Sequence, residues 1–305
     1  MLRPATTPQK LQREGPVEFF KMAGGGNDFV IIDNRSGAIT AAEDLALRVC
    51  TRRLSVGGDG LILIEPSLRA TFKMRYLNAD GSNSEFCANG TRCAARFAFL
   101  NVIAPRRMTI ETGAGVVGAE VNDQQLVTLS LPSPWSFAAE KPLELHSGVT
   151  VRGSSIMVGV PHYVIFLREK LWEQEIDSVG REIRHHPLLQ PAGANVNFVR
   201  VINASRIEVR TWERGVEGET LACGSGVVAS TAVAARFGRV ESPVTVKTRS
   251  GIEFVVSFEL RSGVLEPEFD ALKLTGDARY VYRSQLTPET LEGFDAAWVR
   301  APRSE

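Results

Sequence analysis

Two cysteines with matched surroundings are the residues of this chain best suited to chemistry. Cys87 begins the sequence Cys-Ala-Asn-Gly, Cys223 begins Cys-Gly-Ser-Gly, and each leads into a run of small residues that ends in Ala-Ala-Arg-Phe. Such a run predicts a buried helix, so each cysteine is expected at a helix start. The backbone N–H groups of a helix start lack intrahelical partners and carry partial positive charge. They therefore stabilise a thiolate and can also hold a carboxylate.

A pair of thiols suits proton transfer at a single carbon atom. Inverting an amino-acid α-carbon without a cofactor requires a base on one face and an acid on the other, because a single base returns the proton to the side it left. A thiol has an ordinary pKa of about 8.5, so one member of the pair can be a thiolate while the other stays protonated. A helix start contributes only roughly 0.3–2 kcal/mol, so we expect closure and exclusion of water to supply the rest.

The chain also carries an internal repeat. The segment Met22–Ile32 matches the segment Met157–Leu167 without a gap at an offset of 135 residues, and the two cysteines are 136 residues apart. Agreement between two independent landmarks indicates a duplicated unit. Each unit contains strands followed by one small-residue helix, which predicts a twisted sheet around a central helix. The two helix starts are expected to face each other across a cleft.

Longer motifs surround both cysteines. Asn-Ala-Asp-Gly-Ser begins at Asn78 and precedes Cys-Ala-Asn-Gly-Thr-Arg-Cys, whereas Glu-Arg-Gly-Val-Glu-Gly-Glu-Thr begins at Glu213 and precedes Ala-Cys-Gly-Ser-Gly. In type and order these motifs resemble those of the diaminopimelate epimerase family of cofactor-independent amino-acid epimerases, over about residues 19–282. The resemblance implies an α/β (α+β) fold of two pseudo-symmetric lobes. Each lobe is then a twisted, mostly antiparallel sheet wrapped around a central helix.

The resemblance also implies a function and the residues that serve it. It implies interconversion of LL- and meso-diaminopimelate in lysine and peptidoglycan precursor biosynthesis, with no cofactor, by an enzyme that forms a homodimer. Cys87 is then the base on the L-configured centre and Cys223 the acid, and His162 matches a family histidine that can help a thiol ionise. The substrate-binding positions carried over are Asn27, Asn78, Ala88, Asn89, Asn195, Glu213, Arg214, Gly224 and Ser225.

Within this set, four backbone N–H groups are expected to hold the substrate carboxylate, those of residues 88, 89, 224 and 225. Arg214 can bind the distal carboxylate in two-point fashion, and Glu213 can accept a hydrogen bond from an ammonium group. Many family members carry asparagine in place of Val160, and that asparagine contacts the distal carboxylate. Val160 removes a hydrogen bond worth about 0.5–1.5 kcal/mol, which Asn195 and Arg214 can offset. Ala88 replaces a glycine but still offers its N–H group.

Composition excludes several classes of protein. Lys plus Arg and Asp plus Glu both number 35 in the 305 residues, so no net basic charge recruits nucleic acid or anionic lipid. The sequence contains no apolar run of transmembrane length, and the first residues lack the apolar core of a signal peptide. We therefore expect a cytoplasmic enzyme with reduced thiols. Cys50 and Cys93 are interpreted as structural, and Cys87 and Cys93 lack further ligands at the spacing of a zinc site.

The predicted organisation has two lobes and two appendages. Residues 1–16 are predicted to be a disordered extension, 17–132 the N-terminal lobe, 133–274 the C-terminal lobe and 284–305 a tail. Pro132 and Pro134 mark the boundary between lobes, and residues 275–283 are expected to return to the first lobe. In the tail, Thr287 before Pro288 predicts the start of a short helix.

Three alternatives to this function remain open. A racemase of another amino acid, such as proline or histidine, can use the same fold, although a proline enzyme has no use for Glu213 and Arg214 as readers of an ammonium and a carboxylate. Residues 224–229 fit the G-x-G-x-x-A fingerprint of dinucleotide-binding oxidoreductases, but a polar segment separates them from the preceding predicted strand, whereas the fingerprint directly follows a strand. A non-catalytic binding protein on this scaffold is the third.

Overall fold

The computed structural model describes residues 17–122, 124–168, 171–261 and 268–291, and divides them into two compact units. The first unit contains residues 17–23, 27–116 and 279–291, and the second contains residues 24–26 and 117–278 without the gaps. The predicted extension at residues 1–16 and the end of the predicted tail lie outside the described residues. Pro132 had marked the predicted boundary, whereas the division here falls between Val116 and Val117.

The helices and strands follow one another in an α+β order dominated by strands. Up to the division, the elements are β1 (Val17–Gly24), β2 (Asn27–Asp33), α1 (Ala42–Val49), β3 (Gly60–Glu65), β4 (Phe72–Asn78), β5 (Asn83–Ser84), α2 (Ala88–Leu100) and β6 (Arg107–Thr112). Next come β7 (Gly115–Val121), β8 (Leu126–Ser130), β9 (Trp135–Glu144), β10 (Thr150–Val158), β11 (Val160–Phe166), α3 (Asp177–Arg184), β12 (Asn195–Asn203), β13 (Arg206–Glu213), β14 (Gly218–Thr220) and α4 (Gly224–Arg236). The last elements are β15 (Val244–Lys247), β16 (Glu253–Arg261), β17 (Glu268–Asp277), β18 (Arg279–Leu286) and α5 (Pro288–Leu291).

The sheet of the first unit runs in the order β18–β1–β2–β3–β4–β6, with the short β5 also paired to β4. Two of its pairs are parallel, β2 with β3 and β4 with β6. Parallel neighbours need a crossover connection, and α1 and α2 supply the two crossovers. Cys87 directly precedes the second of these crossover helices.

The second unit repeats this order of elements. Its sheet runs β9–β10–β11–β12–β13–β15–β16–β17–β8–β7, and β14 also pairs with β13. Two of its pairs are again parallel, β11 with β12 and β13 with β15. They correspond to β2 with β3 and β4 with β6 in the first unit. Helices α3 and α4 form the crossovers, and Cys223 directly precedes α4. The fold is therefore two copies of one mostly antiparallel sheet arrangement, as the sequence predicts.

Small residues let the sheet of each unit approach its central helix closely. Helix α4 contacts seven strands of its unit, from β10 to β13 and from β15 to β17, and its alanine and valine side chains are buried. Helix α2 contacts β2, β3, β4 and β6 and is buried from Ala88 to Ala98. These contacts fix where each helix starts, and so fix the position of each cysteine relative to the strand ends of its own unit.

The end of the chain differs from one detail of the sequence interpretation. Residues 275–283 were expected to return to the first unit as one segment, but Ala278 separates two strands within it. Residues 273–277 of β17 pair with β8 in the second unit, whereas β18 pairs with β1 in the first. Helix α5 begins at Pro288 as predicted, and the hydroxyl of Thr287 accepts a hydrogen bond from the Thr290 N–H at 3.4 Å.

Candidate active site

Cys87 caps the first central helix. Its backbone is extended, with φ −142° and ψ 109°, and its Sγ accepts a hydrogen bond from the Gly90 N–H at 3.4 Å. The Thr91 N–H donates to the Cys87 carbonyl at 2.8 Å as the first bond of the helix ladder. The N–H groups of Ala88 and Asn89 therefore precede the ladder and are suited to hold an anion beside the sulfur.

Two of the predicted asparagines in this unit bind each other directly. Asn89, in the first turn of α2, donates from Nδ2 to Asn27 Oδ1 at 2.8 Å, and Asn27 lies at the start of β2. Asn27 donates in turn from Nδ2 to Asp59 Oδ2 at 2.9 Å, and Asn89 Oδ1 accepts from Arg92 Nη2 at 2.6 Å. The helix start is thus linked through side chains to the beginning of β2.

Asn78 ends β4 in the same unit. Its Nδ2 donates to the Ser82 hydroxyl at 2.9 Å, and its backbone N–H donates to the Ser82 carbonyl. These bonds close the Asn-Ala-Asp-Gly-Ser turn that leads toward Cys87. Within the part of the chain that the structure describes, these hydrogen bonds do not connect Asn78 to Asn27 or Asn89.

Cys223 caps the second central helix in the same extended conformation, with φ −116° and ψ 112°. Its sulfur lies 3.4 Å from the Ser225 hydroxyl, and the Val227 N–H donates to its carbonyl at 2.9 Å. Gly226 has to be glycine here, because an added Cβ would lie 2.4 Å from Asn197 Oδ1. The N–H groups of Gly224 and Ser225 again precede the ladder.

Glu213 ends β13 with its carboxylate against the second cysteine. The Thr220 hydroxyl donates to Glu213 Oε2 at 2.9 Å, and the Cys223 side chain is also in hydrogen-bond contact with this carboxylate. Burial raises the pKa of Glu213 above its ordinary value, and the hydrogen bonds from Thr220 and Cys223 oppose that rise. A carboxyl group with a raised pKa beside a thiol is suited to take up and return the proton of that thiol.

Asn195 and Arg214, which the resemblance assigns to the distal end of the substrate, are neighbours in the second unit. Asn195 is buried at the start of β12, and its Oδ1 accepts a hydrogen bond from the Arg214 N–H at 2.8 Å. The Arg214 guanidinium donates to the Ala192 carbonyl at 3.3 Å. A guanidinium has five N–H donors, so this contact leaves capacity for a carboxylate.

His162 is buried in β11, and its ring is neutral. Burial, followed by the charge of Arg214, lowers the pKa of His162 to about 3. The Thr211 hydroxyl donates a hydrogen bond to Asn197 Oδ1 at 3.0 Å. The amide nitrogen of Asn197 therefore faces the ring, and its Nδ2 lies 3.1 Å from His162 Nδ1. An amide nitrogen only donates, so Nδ1 accepts and the ring proton is on Nε2. That buried Nε2–H has no hydrogen-bond partner among the described residues.

The remaining cysteines are in environments that suppress reactivity. All four cysteines are free thiols, and Cys50 is buried among core residues. Burial raises the pKa of Cys50 to about 12, so it is a poor nucleophile at neutral pH. Cys93 is fully buried on α2. Among the described residues, no group of three His, Cys, Asp or Glu side chains is arranged to hold a metal ion.

Several residues of the site were not found from the sequence. They are Asp59, Arg92, Asn197 and Thr220, each of which binds a predicted site residue, and Thr211, which binds Asn197. Strand alternation can find two of them, because Asn197 lies two residues after Asn195 and Thr211 two residues before Glu213, on the same face of the sheet. The other three depend on contacts between loops, helix turns and strands.

Comparison with known proteins places the chain in a family. The family model described as "Diaminopimelate epimerase" matches residues 19–132 and 154–261. The chain belongs to this family. The diaminopimelate epimerase of Aquifex aeolicus is 39% identical over 90% of this chain and 100% of that protein, and that of Chlorobaculum tepidum is 39% identical over 87% and 100%.

Solved structures support the same fold at lower identity. The probable proline racemase from Agrobacterium radiobacter is 15% identical and has a TM-score of 0.68 over 94% of this chain and 98% of that chain. At this identity the likeness shows the fold alone.

Across the described residues, no helix has the length and apolar character needed to cross a membrane.

Proposed function

We propose that this epimerase-family chain interconverts LL- and meso-diaminopimelate, by proton transfer between one thiolate and one thiol at the α-carbon. The observation that carries the proposal is the repeated position of the two cysteines. Each is the extended residue directly before the central helix of its unit, with the N–H groups of the next two residues ahead of the helix ladder. This is the environment that lowers the pKa of a thiol and attracts a carboxylate.

In the first unit, Cys87 is the base on the L-configured centre by analogy with the family. The N–H groups of Ala88 and Asn89 stabilise its thiolate and donate hydrogen bonds to one side of the substrate carboxylate. Asn27 adds an amide group for the same end of the substrate, whereas Asn78 is assigned to the distal amino-acid end. The Asn27–Asn89 hydrogen bond supports this grouping, because it joins Asn27 to the first turn of the helix that Cys87 precedes.

In the second unit, Cys223 is the acid that protonates the opposite face, and the roles exchange in the reverse reaction. Its contact with Glu213 supports a proton relay, in which the carboxylate takes the thiol proton when Cys223 must act as base. Gly224 and Ser225 supply N–H groups for the other side of the carboxylate. His162 has its Nδ1 lone pair occupied by Asn197, so this geometry favours a donor role through Nε2 over the base role inferred from the resemblance.

The substrate's distal amino-acid end is assigned to Asn195 and Arg214. Their mutual hydrogen bond places the guanidinium-bearing residue directly beside a buried amide. Arg214 binds the distal carboxylate, and Glu213 contacts the substrate ammonium as well as the thiol. Val160, at the start of β11, offers no hydrogen bond, so Arg214 and Asn195 carry the selectivity for a second carboxylate.

We further propose a cytoplasmic homodimer. Reduced thiols are needed for the chemistry, and the four cysteines are uncrosslinked. Strand β18 pairs with β1 and exposes Tyr280, Val281 and Tyr282, which suits this edge to a second copy of the chain. Light scattering after size-exclusion chromatography tests the dimer, and a monomer at micromolar concentration contradicts it.

Solvent deuterium exchange tests the catalytic proposal. LL-diaminopimelate in deuterium oxide should acquire deuterium at the inverted α-carbon and convert to the meso form, whereas Cys87→Ser and Cys223→Ser should lose epimerisation. Cys93→Ser is the matched control, because Cys93 is a buried thiol on α2 but does not lie at the helix start. Full epimerisation by either catalytic variant contradicts the mechanism. Conversion of proline or histidine in preference to diaminopimelate contradicts the substrate, and nicotinamide binding favours the oxidoreductase alternative.

A further inference from the structure

The loop of residues 57–60, which reads Gly-Gly-Asp-Gly, has no role in the proposed mechanism so far. It leads into β3 and packs with little free space. An added Cβ at Gly58 would lie 3.2 Å from the Asp28 carbonyl, and one at Gly60 would lie 2.4 Å from the Tyr76 ring. The backbone of Asp59 donates to the Asp28 carbonyl at 2.7 Å and accepts from the Ala79 N–H at 3.1 Å. Glycines on both sides therefore allow the loop to hold Asp59 in a fixed position.

Charged side chains hold the Asp59 carboxylate and its neighbour. Arg52 donates from Nη2 to Asp59 Oδ1 at 2.9 Å and also pairs with Asp28. Lys21, which is buried, pairs with Asp28 Oδ2 at 2.7 Å and donates to the Gly57 carbonyl. The other oxygen of Asp59, Oδ2, accepts from the Asp28 N–H at 3.0 Å as well as from Asn27.

The hydrogen bonds from Asp59 through Asn27 and Asn89 to Arg92 can run in only one direction. An ionised carboxylate only accepts hydrogen bonds, so the Asn27 nitrogen has to face Asp59 and its oxygen has to face Asn89. A guanidinium only donates, so the Asn89 oxygen has to face Arg92 and its nitrogen has to face Asn27. The three distances, 2.9, 2.8 and 2.6 Å, fit this direction.

We propose that Asp59 is a positioning residue for the substrate, which acts with Arg92 to orient the Asn27 and Asn89 amides. Each amide nitrogen has two N–H groups and uses one to donate a hydrogen bond within this series. The second N–H group of each amide can therefore donate to the substrate carboxylate. If either amide turned over, it would present an oxygen to that carboxylate and repel it. The inference rests on the proposed function, in which both asparagines contact the substrate.

The test compares three variants in the full chain. Asp59→Ala removes the acceptor and lets Asn27 turn. Asp59→Asn keeps one acceptor oxygen, which can stay toward Asn27 and the Asp28 N–H while the new NH₂ group faces Arg52, a side chain that is 48% exposed and can move away. Asp33→Ala is the control, because Asp33 also forms an ion pair with an arginine on the surface of the same unit but lies outside this series.

The first readout is the NMR spectrum of the side-chain amides in protein labelled with ¹⁵N-asparagine, without substrate. The Asn27 and Asn89 signals are identified by their loss in Asn27→Ser and Asn89→Ser. Both signals should move in Asp59→Ala and stay close to the wild-type positions in Asp59→Asn and Asp33→Ala. Unchanged signals in Asp59→Ala overturn the inference whatever the activity of the protein.

The second readout is kcat/KM for LL-diaminopimelate. Loss of an acceptor for a charge-assisted hydrogen bond should lower kcat/KM of Asp59→Ala roughly tenfold to a hundredfold relative to Asp33→Ala. Asp59→Asn should retain most of the activity. If Asp59→Ala does not fold, the activity and amide signals of Asp59→Asn test the inference in its place. Equal kcat/KM in Asp59→Ala and Asp33→Ala overturns the inference, as does loss of the wild-type amide signals in Asp59→Asn. A wild-type protein that does not epimerise diaminopimelate refutes the proposed function instead, because the amide signals still report on Asp59.

Discussion

The hydrogen bond from Thr220 to Glu213 offers a sensitive test of how the second thiol is controlled. Thr220 lies on β14, and the neighbouring Glu219 forms a two-point ion pair with buried Arg210 at 2.7 Å for both bonds. Arg210 also donates to the carbonyls of a preceding turn, at residues 171 and 174. This pair fixes the strand, so the Thr220 hydroxyl reaches the Glu213 carboxylate at 2.9 Å in a defined geometry.

The perturbation is Thr220→Val, which keeps the volume and the branched Cβ but removes the hydroxyl donor. A hydrogen bond to a charged group contributes about 1.5–3 kcal/mol, so kcat/KM should fall roughly tenfold to a hundredfold if Glu213 has to be ionised. The sign of the pH effect follows from the same bond. Thr220 stabilises the charged form of Glu213, so its removal raises the pKa of Glu213 further above the ordinary value and reduces the fraction of base at acidic pH.

The assay is kcat/KM for diaminopimelate as a function of pH, measured for wild type, Thr220→Val and Thr220→Ser. The acid limb of Thr220→Val should move to higher pH, whereas Thr220→Ser, which keeps a hydroxyl, should follow the wild type. Peptide-level alkylation with iodoacetamide adds an internal control, because the rate at Cys87 should not change while the rate at Cys223 does. A Thr220→Val profile that superimposes on the wild type while Glu213→Gln is inactive would refute this role of the Thr220–Glu213 hydrogen bond.

Two further predictions concern packing and protonation in the second unit. Gly226→Ala should lower the free energy of unfolding by about 1–3 kcal/mol, because its new Cβ would lie 2.4 Å from Asn197 Oδ1. Gly218→Ala is the control, because its Cβ would meet no atom within 4 Å and should change the free energy of unfolding by less than about 0.5 kcal/mol. Urea unfolding measures both. His162 has a folded pKa of about 3 against a reference value of 6.5, so the unfolded state binds more protons between these values and stability falls as pH falls through that window. His162→Gln should remove a slope of up to about 1.4 kcal/mol per pH unit from the unfolding free energy between pH 6.5 and 4.5, and an unchanged slope would contradict a neutral buried ring.

The positions of the cysteines could be predicted because the signal is local. The small residues after Cys87 and Cys223 specify a buried helix, and the unpaired N–H groups at its start follow from helix geometry alone. The offset of 135 or 136 residues between matched segments predicted the duplication, which the strand order of the two units confirms. Family membership also followed from these motifs, because each is long and contiguous in the chain.

The contacts between distant residues could not be read in the same way. Asn27 and Asn89 are 62 residues apart, and their hydrogen bond depends on where the α2 crossover begins relative to β2. Gly-Gly-Asp-Gly at residues 57–60 predicts a turn whatever its neighbours are, so the sequence gives no sign that Asp59 binds Asn27. The segment 275–283, expected to return to the first unit, is divided because the register of β17 on β8 ends at Asp277, while β18 pairs with a strand of the first unit.

By itself the sequence determined the chemistry that is available: two thiols at helix starts, a set of amides and one glutamate–arginine turn. Only the tertiary structure decided which atoms of those groups are used. It placed Glu213 against Cys223, left Nε2 of His162 as the protonated nitrogen and gave the Asn27 and Asn89 amides one direction. The physical reason is that backbone dipoles and helix starts are set by neighbouring residues, whereas the donor or acceptor character of an amide or imidazole is set by whichever charged or polar group the fold brings to it.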